Sequence, residues 1–309
     1  MAVALTAFIV WRSDPSAVFS AAGQARASWL AVAVGLVAFD RALMAYRWVV
    51  LVRVLEPAER LPLRVILRVF FISTFVGTFL PVSVGGDAVR AYGLSRARVG
   101  GAASVASVLM DRLLGVVSLL IVTVAGLAVA RELLRELALF AAVALVAVAC
   151  AIATAAIYSE RVAAAGARLL GAVPIAPARR VSAQLAGAVR AYALRHGALA
   201  NVLAGSIAVQ LLRIVQAYAL GRSLGLVAPF WVYFAFVPII LLVMLLPITI
   251  YGLGTSQLAF AALFARAAVP SSEAVALSLL FVGLGLVGNL PGAFLYATGA
   301  RRTPSEATG

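Results

Sequence analysis

The sequence has no lysine, a single histidine and a single cysteine. Without lysine there is no Schiff-base amine and no phosphate-loop ammonium. Cys150 stands alone in an apolar run, so the chain has no disulfide framework. His196 and Cys150 cannot by themselves assemble a zinc-type ligand set, and no cofactor is expected. Charge is scarce too. Only 12% of residues are Asp, Glu, Lys or Arg, about half the share of an ordinary soluble domain.

What is present is apolar. Hydrophobic residues make up 64% of the 309, and the mean hydropathy is +1.10. A water-soluble fold could not cover that much apolar surface, so the solvent of this chain is a bilayer. The net charge of +14 comes from 25 arginines against 11 acids. In a soluble protein that balance would suggest nucleic acid. Here the arginines gather in a few loops, which is the positive-inside pattern and suits an anionic leaflet, so nucleic acid is not an expected partner.

The expected fold class is all-α: one polytopic helical membrane domain over residues 1–300, followed by a disordered tail at 301–309. Residues 2–11 are apolar but too few for a span and read as a first helix cut short. Full spans are expected at 28–52, 101–130, 137–158, 198–221 and 273–298, about six with that first helix. Residues 160–197 carry six arginines and two prolines and read as a basic amphipathic linker on the cytoplasmic surface.

Two segments do not read as simple crossings. Residues 63–80 are apolar but flanked by basic loops on both sides, followed by Pro81, Gly85 and Gly86. Residues 229–247 end at Pro247, followed by Gly252 and Gly254. Both are expected to be re-entrant hairpins, since broken backbone at membrane depth is tolerated where it lines a protected cavity. With this topology fifteen arginines fall in cytoplasmic loops, six in external loops and four (Arg41, Arg47, Arg112 and Arg213) within spans.

The two halves, about 28–130 and 198–298, can be superposed. Arg47 and Arg213, Pro81 and Pro247, and Gly86 and Gly252 all share an offset of 166 residues. With one hairpin entering from each side, this is an inverted repeat, an architecture that places a substrate site where the broken segments meet. The chemistry is not symmetric: Asp87 maps to Leu253 and Asp111 to Leu277. The first half therefore supplies the charges of any charged site.

The candidate binding residues are Arg47, Pro81, Gly85, Gly86, Asp87, Arg90, Asp111, Arg112, Arg213, Gly252, Gly254 and Gln257. Arg47 reads either as part of a site or as a snorkelling residue beside Trp48 in an interface belt. Asp87 reads as the N-cap of a helix starting at Ala88, or as a buried acid able to carry a proton. Arg90 is suited to forked pairing with a phosphate at a helix start. Asp111 and Arg112 point about 100° apart on a helix, so each needs a partner elsewhere, with Arg47 or Arg90 available to Asp111. The run Gly283 to Gly288 matches a dinucleotide fingerprint by letters alone; close helix packing explains it and Gly292 better.

Arg47-Trp48, Pro62-Leu63, Phe75, Pro81 with Gly85-Gly86-Asp87 and Arg90-Ala91, and Asp111-Arg112 with Gly115 resemble the lysylphosphatidylglycerol synthase transmembrane family, also called flippase-like. The stretch from Pro247 to Gly254 resembles its later motif. There the family has a Gly pair and an acid where this chain has Tyr251-Gly252 and Gln257, which argues against a second acidic site. The resemblance implies a multi-span cell-membrane protein handling phospholipids or polyprenyl-linked lipids. Aminoacyl transfer in two-part members belongs to an added soluble domain, for which a chain ending at Gly309 leaves no room, so an enzyme is not expected. The leading expectation is a flippase for an anionic phospholipid or polyprenyl-phosphate lipid. The alternative is a non-transporting partner of a cell-envelope glycosyltransferase or lipid-modifying enzyme. An intramembrane enzyme using Asp87 and Asp111 is the weakest reading, because no nucleophile or metal set accompanies them.

Overall fold

Hydrocarbon offers the backbone no hydrogen-bond partners, so long apolar runs must satisfy their own N–H and C=O groups as helices. In the computed structural model this is the outcome throughout: among the described residues there is helix and no strand. The structure describes residues 15–55, 61–80, 84–97, 99–130, 187–245 and 252–300, with isolated positions at 9, 144, 145, 148, 150 and 151. Pro81, residues 2–8, most of 137–158, all of 160–186, residues 246–251 and the 301–309 tail lie outside the described residues.

A short helix α1 (Pro15–Gly23), which the sequence reading did not anticipate, precedes α2 (Ala27–Arg53). Then come α3 (Leu63–Gly77), α4 (Val84–Arg96) and α5 (Gly101–Val129). The second half holds α6 (His196–Ser223), α7 (Phe230–Leu245), α8 (Thr255–Phe264) and α9 (Ser271–Ala300). Among the described residues, α2, α5, α6 and α9 are long and apolar enough to cross a membrane. This is a polytopic helical membrane protein.

The arms of the two hairpins are shorter. The 15 residues of α3 and the 13 of α4 extend about 22 and 20 Å, less than the roughly 30 Å of a hydrocarbon core. They run antiparallel. Gly86 meets Gly77 near the turn, where a Cβ on Gly77 would lie 2.7 Å from the Gly86 Cα, while Gly93 meets Val69 further along. Gly85 and Gly86 therefore sit inside the first turn of α4, not in a non-helical break. The small size of Gly77 and Gly86 lets the two helices touch backbone to backbone. In the second hairpin, Gly252 lies against Met244 near the turn and Phe264 against Phe236 at the far end, so α7 and α8 are antiparallel too. Gly252 and Gly254 have φ of 73° and 90°, backbone that a side chain would strain.

The repeat is visible as geometry. Each half runs long, short, short, long. The equivalent helices α2 and α6 are antiparallel neighbours, as an inverted repeat requires. Arg26 N–H donates to the Ser223 carbonyl at 2.9 Å, Asp40 lies beside Arg213, and Arg47 packs on Gly205. The cross-packing is reciprocal. Gly126 of α5 abuts the α7 backbone at Phe234 and Ala235, and Gly292 of α9 abuts the α3 backbone at Phe71. These two glycines are also 166 residues apart.

Two large apolar cores result, beside a small one that joins Val18 of α1 to Val275 and Ala276 of α9. One gathers Tyr233, Phe236, Phe260 and Phe264 with α6 and α9; the other joins Trp48, Leu51, Ile66 and Phe70 with Tyr192. Residues 187–193 are helical and belong to this second core. Tyr192 is fully buried and donates its hydroxyl to the Leu51 carbonyl at 3.0 Å. Burial, with a smaller contribution from Asp111, pushes its phenol above the ordinary range. The end of the expected surface linker is thus part of the packed protein.

Candidate functional site

A cavity of about 350 Å³ opens where the two halves meet, lined from α2, α3, α4, α5, α6, α7 and α9. The charged residues among its walls are Asp40, Arg41, Arg47, Asp87, Arg90, Asp111, Arg112 and Arg213.

Asp111, one-third of the way along α5, is shared by two arginines. Arg47 Nη2 lies 2.9 Å from its Oδ1, and Arg90 Nη1 lies 3.2 Å from its Oδ2. All three are buried, with exposures of 4% for Arg47, 6% for Arg90 and 8% for Asp111. Arg90 is further held by the rings of Phe70 and Trp48, at 4.8 and 5.3 Å, and by the Ser73 hydroxyl at 3.3 Å. A guanidinium facing two aromatic faces and a carboxylate is fixed in position more firmly than a lone charge pair could fix it.

The interface-belt reading of Arg47 and Trp48 is therefore wrong for both residues. Arg47 reaches across to Asp111 and lies against Gly205 and Gly115, while Trp48 is fully buried. A sequence pattern of Arg-Trp near a span end does not reveal which side of the helix faces a neighbour.

Arg112, the residue after Asp111, points elsewhere as its helix position requires. It makes a forked contact with Asp87, at 2.6 and 2.9 Å, linking the first turn of α4 to α5. Because α4 begins at Val84, Asp87 lies inside the helix and is not its N-cap. The Arg112 side chain is 45% exposed, so this pair borders the open side of the cavity.

A third group includes the candidate Arg213, but its other two members, Asp40 and Arg41, were not on the candidate list. Asp40 is buried in α2, with Arg41 at 3.3 Å and Arg213 of α6 at 3.5 Å. Arg41 also lies 3.4 Å from the Gly285 carbonyl. The signal was present in the sequence as two adjacent charges inside a span. Adjacency in sequence does not reveal a distant partner; the fold brings in Arg213 from 172 or 173 positions away. Gln210, Gln216 and Asn289 also line the cavity and were likewise missed. Asn289 donates to the Thr78 hydroxyl at 2.8 Å, joining α9 to the end of α3.

Eight of the twelve candidates line this cavity: Arg47, Gly86, Asp87, Arg90, Asp111, Arg112, Arg213 and Gly252. Gly85 packs on Leu80, and neither Gly254 nor Gln257 lines the walls. Gln257 is fully buried and accepts a hydrogen bond from Gly254 N–H with its side-chain oxygen, capping α8. Pro81 lies outside the described residues. All three acids in the cavity wall belong to the first half, and Arg213 is the one charge among the described lining residues from the second.

No curated protein and no solved structure matches the chain. A family model described as the lysylphosphatidylglycerol synthase TM region matches residues 1–292, nearly the full length. With a helical bundle of membrane spans and a match of that extent, the chain belongs to the lysylphosphatidylglycerol synthase transmembrane-region family, membrane proteins of lipid metabolism or transport.

Proposed function

We propose that this protein moves the headgroup of an anionic lipid, a phospholipid or a polyprenyl-phosphate lipid, across the membrane through the cavity, while the acyl or prenyl chains stay in the bilayer. The observation that carries the reading is the cavity itself. It lies at the junction of two inverted halves, is reached by both short hairpins, and has more arginine than aspartate in its walls. Arg47 and Arg90 are held by Asp111 with their positions fixed, which suits recognition of phosphate oxygens. Asp87 and Arg112, at the exposed edge, form a pair that an entering headgroup can exchange with. The role is transport and not bond chemistry. The count of arginines supports an orientation with the basic loops and the C-terminus on the cytoplasmic side of the cell membrane.

The test is translocation in proteoliposomes, read as loss of fluorescence of headgroup-labelled lipids to an external quencher. Wild type is expected to move an anionic lipid. Arg47→Gln and Arg90→Gln, purified as folded protein, are expected to move it at the rate of empty vesicles. Variants as active as wild type remove the two arginines from the mechanism. A wild type that moves no anionic lipid, yet co-purifies with an envelope enzyme, overturns the transport reading in favour of a partner role.

A further inference from the structure

Two glutamines in the cavity wall leave hydrogen-bonding groups unused. Gln210 and Gln216 both belong to α6, and each is only 4% exposed. Gln210 donates through Nε2 to the Gly115 carbonyl at 3.3 Å and to the Ser118 hydroxyl at 3.5 Å. Ser118 gives its own proton to that same carbonyl, so its oxygen is left to accept. The nitrogen of Gln210 is therefore fixed toward α5. Its Oε1 is buried and has no hydrogen-bond partner among the described residues. Gln216 Nε2 is likewise buried and has none among them. Buried polar groups of native proteins are as a rule hydrogen-bonded, and leaving one unmet is costly.

The two amides stand beside the proposed phosphate site. Gly115 is the meeting point: Gln210 reaches its carbonyl, and Arg47 Nη2 lies 3.7 Å from where a Cβ on it would stand. Gln216 lies a further 9 Å or so along α6, away from Gly205, on which Arg47 packs. An occupant anchored at Arg47 therefore passes Gln210 before it reaches Gln216. Both unpartnered atoms are covered in this state. The terminal amide torsion of glutamine is broad, so a modest turn presents each to the cavity. Their needs differ: Gln210 offers an acceptor and Gln216 a donor. Phosphate and carboxylate oxygens only accept, so they serve Gln216 alone. An ammonium only donates, so it serves Gln210 alone. A hydroxyl does both, and the spacing along α6 calls for more than one.

Resting on the reading that the cavity takes a lipid headgroup, we propose that Gln210 and Gln216 are specificity-determining residues that select a polyol beyond the phosphate, a glycerol or a sugar, through its hydroxyls. One hydroxyl donates to Gln210 Oε1 and another accepts from Gln216 Nε2. A headgroup of equal charge without hydroxyls leaves both amides unmet. A site built to bond a hydroxyl discriminates strongly against the analogue that lacks it.

The test is competitive binding to the full-length protein in nanodiscs of phosphatidylcholine. The probes are phosphatidylinositol, phosphatidylglycerol and phosphatidylpropanol with identical acyl chains. All three carry the same charge, and phosphatidylpropanol is phosphatidylglycerol without its headgroup hydroxyls. At least one polyol lipid is expected to bind at least about tenfold tighter than phosphatidylpropanol, equivalent to about 1.4 kcal/mol. Phosphatidylinositol ahead of phosphatidylglycerol assigns the polyol to a sugar-like ring, and the reverse order to glycerol. Gln216→Leu, similar in size and unable to hydrogen-bond, is expected to bring the affinity for the polyol lipid down to that for phosphatidylpropanol. Gln210→Met makes the corresponding change beside Gly115 and replaces Gln216→Leu if that variant does not fold. A variant that weakens all three lipids alike, with the ratio between them kept, assigns the glutamines a structural role and overturns the proposal. Equal affinity of wild type for all three, with phosphatidylglycerol still translocated, overturns the polyol and leaves transport standing. Absence of both binding and movement for every probe overturns both.

Discussion

Replacing Asp111 by asparagine separates a buried charge network from an exposed one. The substitution keeps the shape of the side chain and removes its charge. Arg47 and Arg90, 4% and 6% exposed, would then face each other with no carboxylate between them. Breaking a buried ion pair by removing one partner costs about 3–5 kcal/mol, because the remaining charge stays desolvated. Two stranded arginines put Asp111→Asn in that range. Asp87→Asn is the control. Its partner Arg112 is 45% exposed at the open side of the cavity, so removing Asp87 strands a less desolvated charge and a smaller loss is expected than for Asp111→Asn. The assay is denaturant unfolding of purified protein in mixed micelles, with both variants beside wild type. A triple variant, Asp111→Asn with Arg47→Met and Arg90→Met, sharpens the comparison. Replacing a whole buried ion cluster by apolar groups is often neutral or stabilising, so the triple is expected to recover most of the loss while failing to translocate lipid. If Asp111→Asn and Asp87→Asn cost the same, or if the triple is no more stable than Asp111→Asn, the account of a mutually dependent triad is refuted.

Two further outcomes are expected. Gly292→Ala places a Cβ on the Phe71 carbonyl oxygen and beside Phe75, so α9 must move off α3. A loss of about 1–3 kcal/mol is expected in the same unfolding assay. Gly283→Ala, with open space around it, is expected to be neutral or slightly stabilising, and equal effects at the two positions would remove the packing argument. Tyr192→Phe deletes the hydrogen bond to the Leu51 carbonyl and is expected to cost about 0.5–1.5 kcal/mol. A variant indistinguishable from wild type would show that this contact does not help dock residues 187–193 on α2.

Much of the fold was legible because the bilayer imposes simple rules on a sequence. A run of twenty apolar residues must be a helix, so α2, α5, α6 and α9 fall within two residues of their expected bounds. The offset of 166 residues was legible because paired Pro, Gly and Arg landmarks stand at equal spacing in both halves. The helix geometry of adjacent residues was enough to send Asp111 and Arg112 to different partners. The start of α4 was not legible. Gly85 and Gly86 look like helix breakers in one dimension, and only the contact of Gly86 with Gly77 and Ser73 of α3 gives the pair a reason to lie inside a helix.

The sequence by itself determined the solvent, the helical class, the long spans and the two-fold organisation of this protein, because each depends on local composition and spacing. The tertiary structure decided which charges meet. Asp40 with Arg213, Arg47 with Asp111, and Asn289 with Thr78 join residues from 64 to 211 positions apart. Helical periodicity places a side chain on a face of its own helix. The neighbour on that face is set by the antiparallel packing of α2 on α6 and by the glycine contacts that bring α9 onto α3 and α7 onto α5. Those contacts turned a scatter of costly intramembrane charges into one cavity with two arginine–aspartate triads.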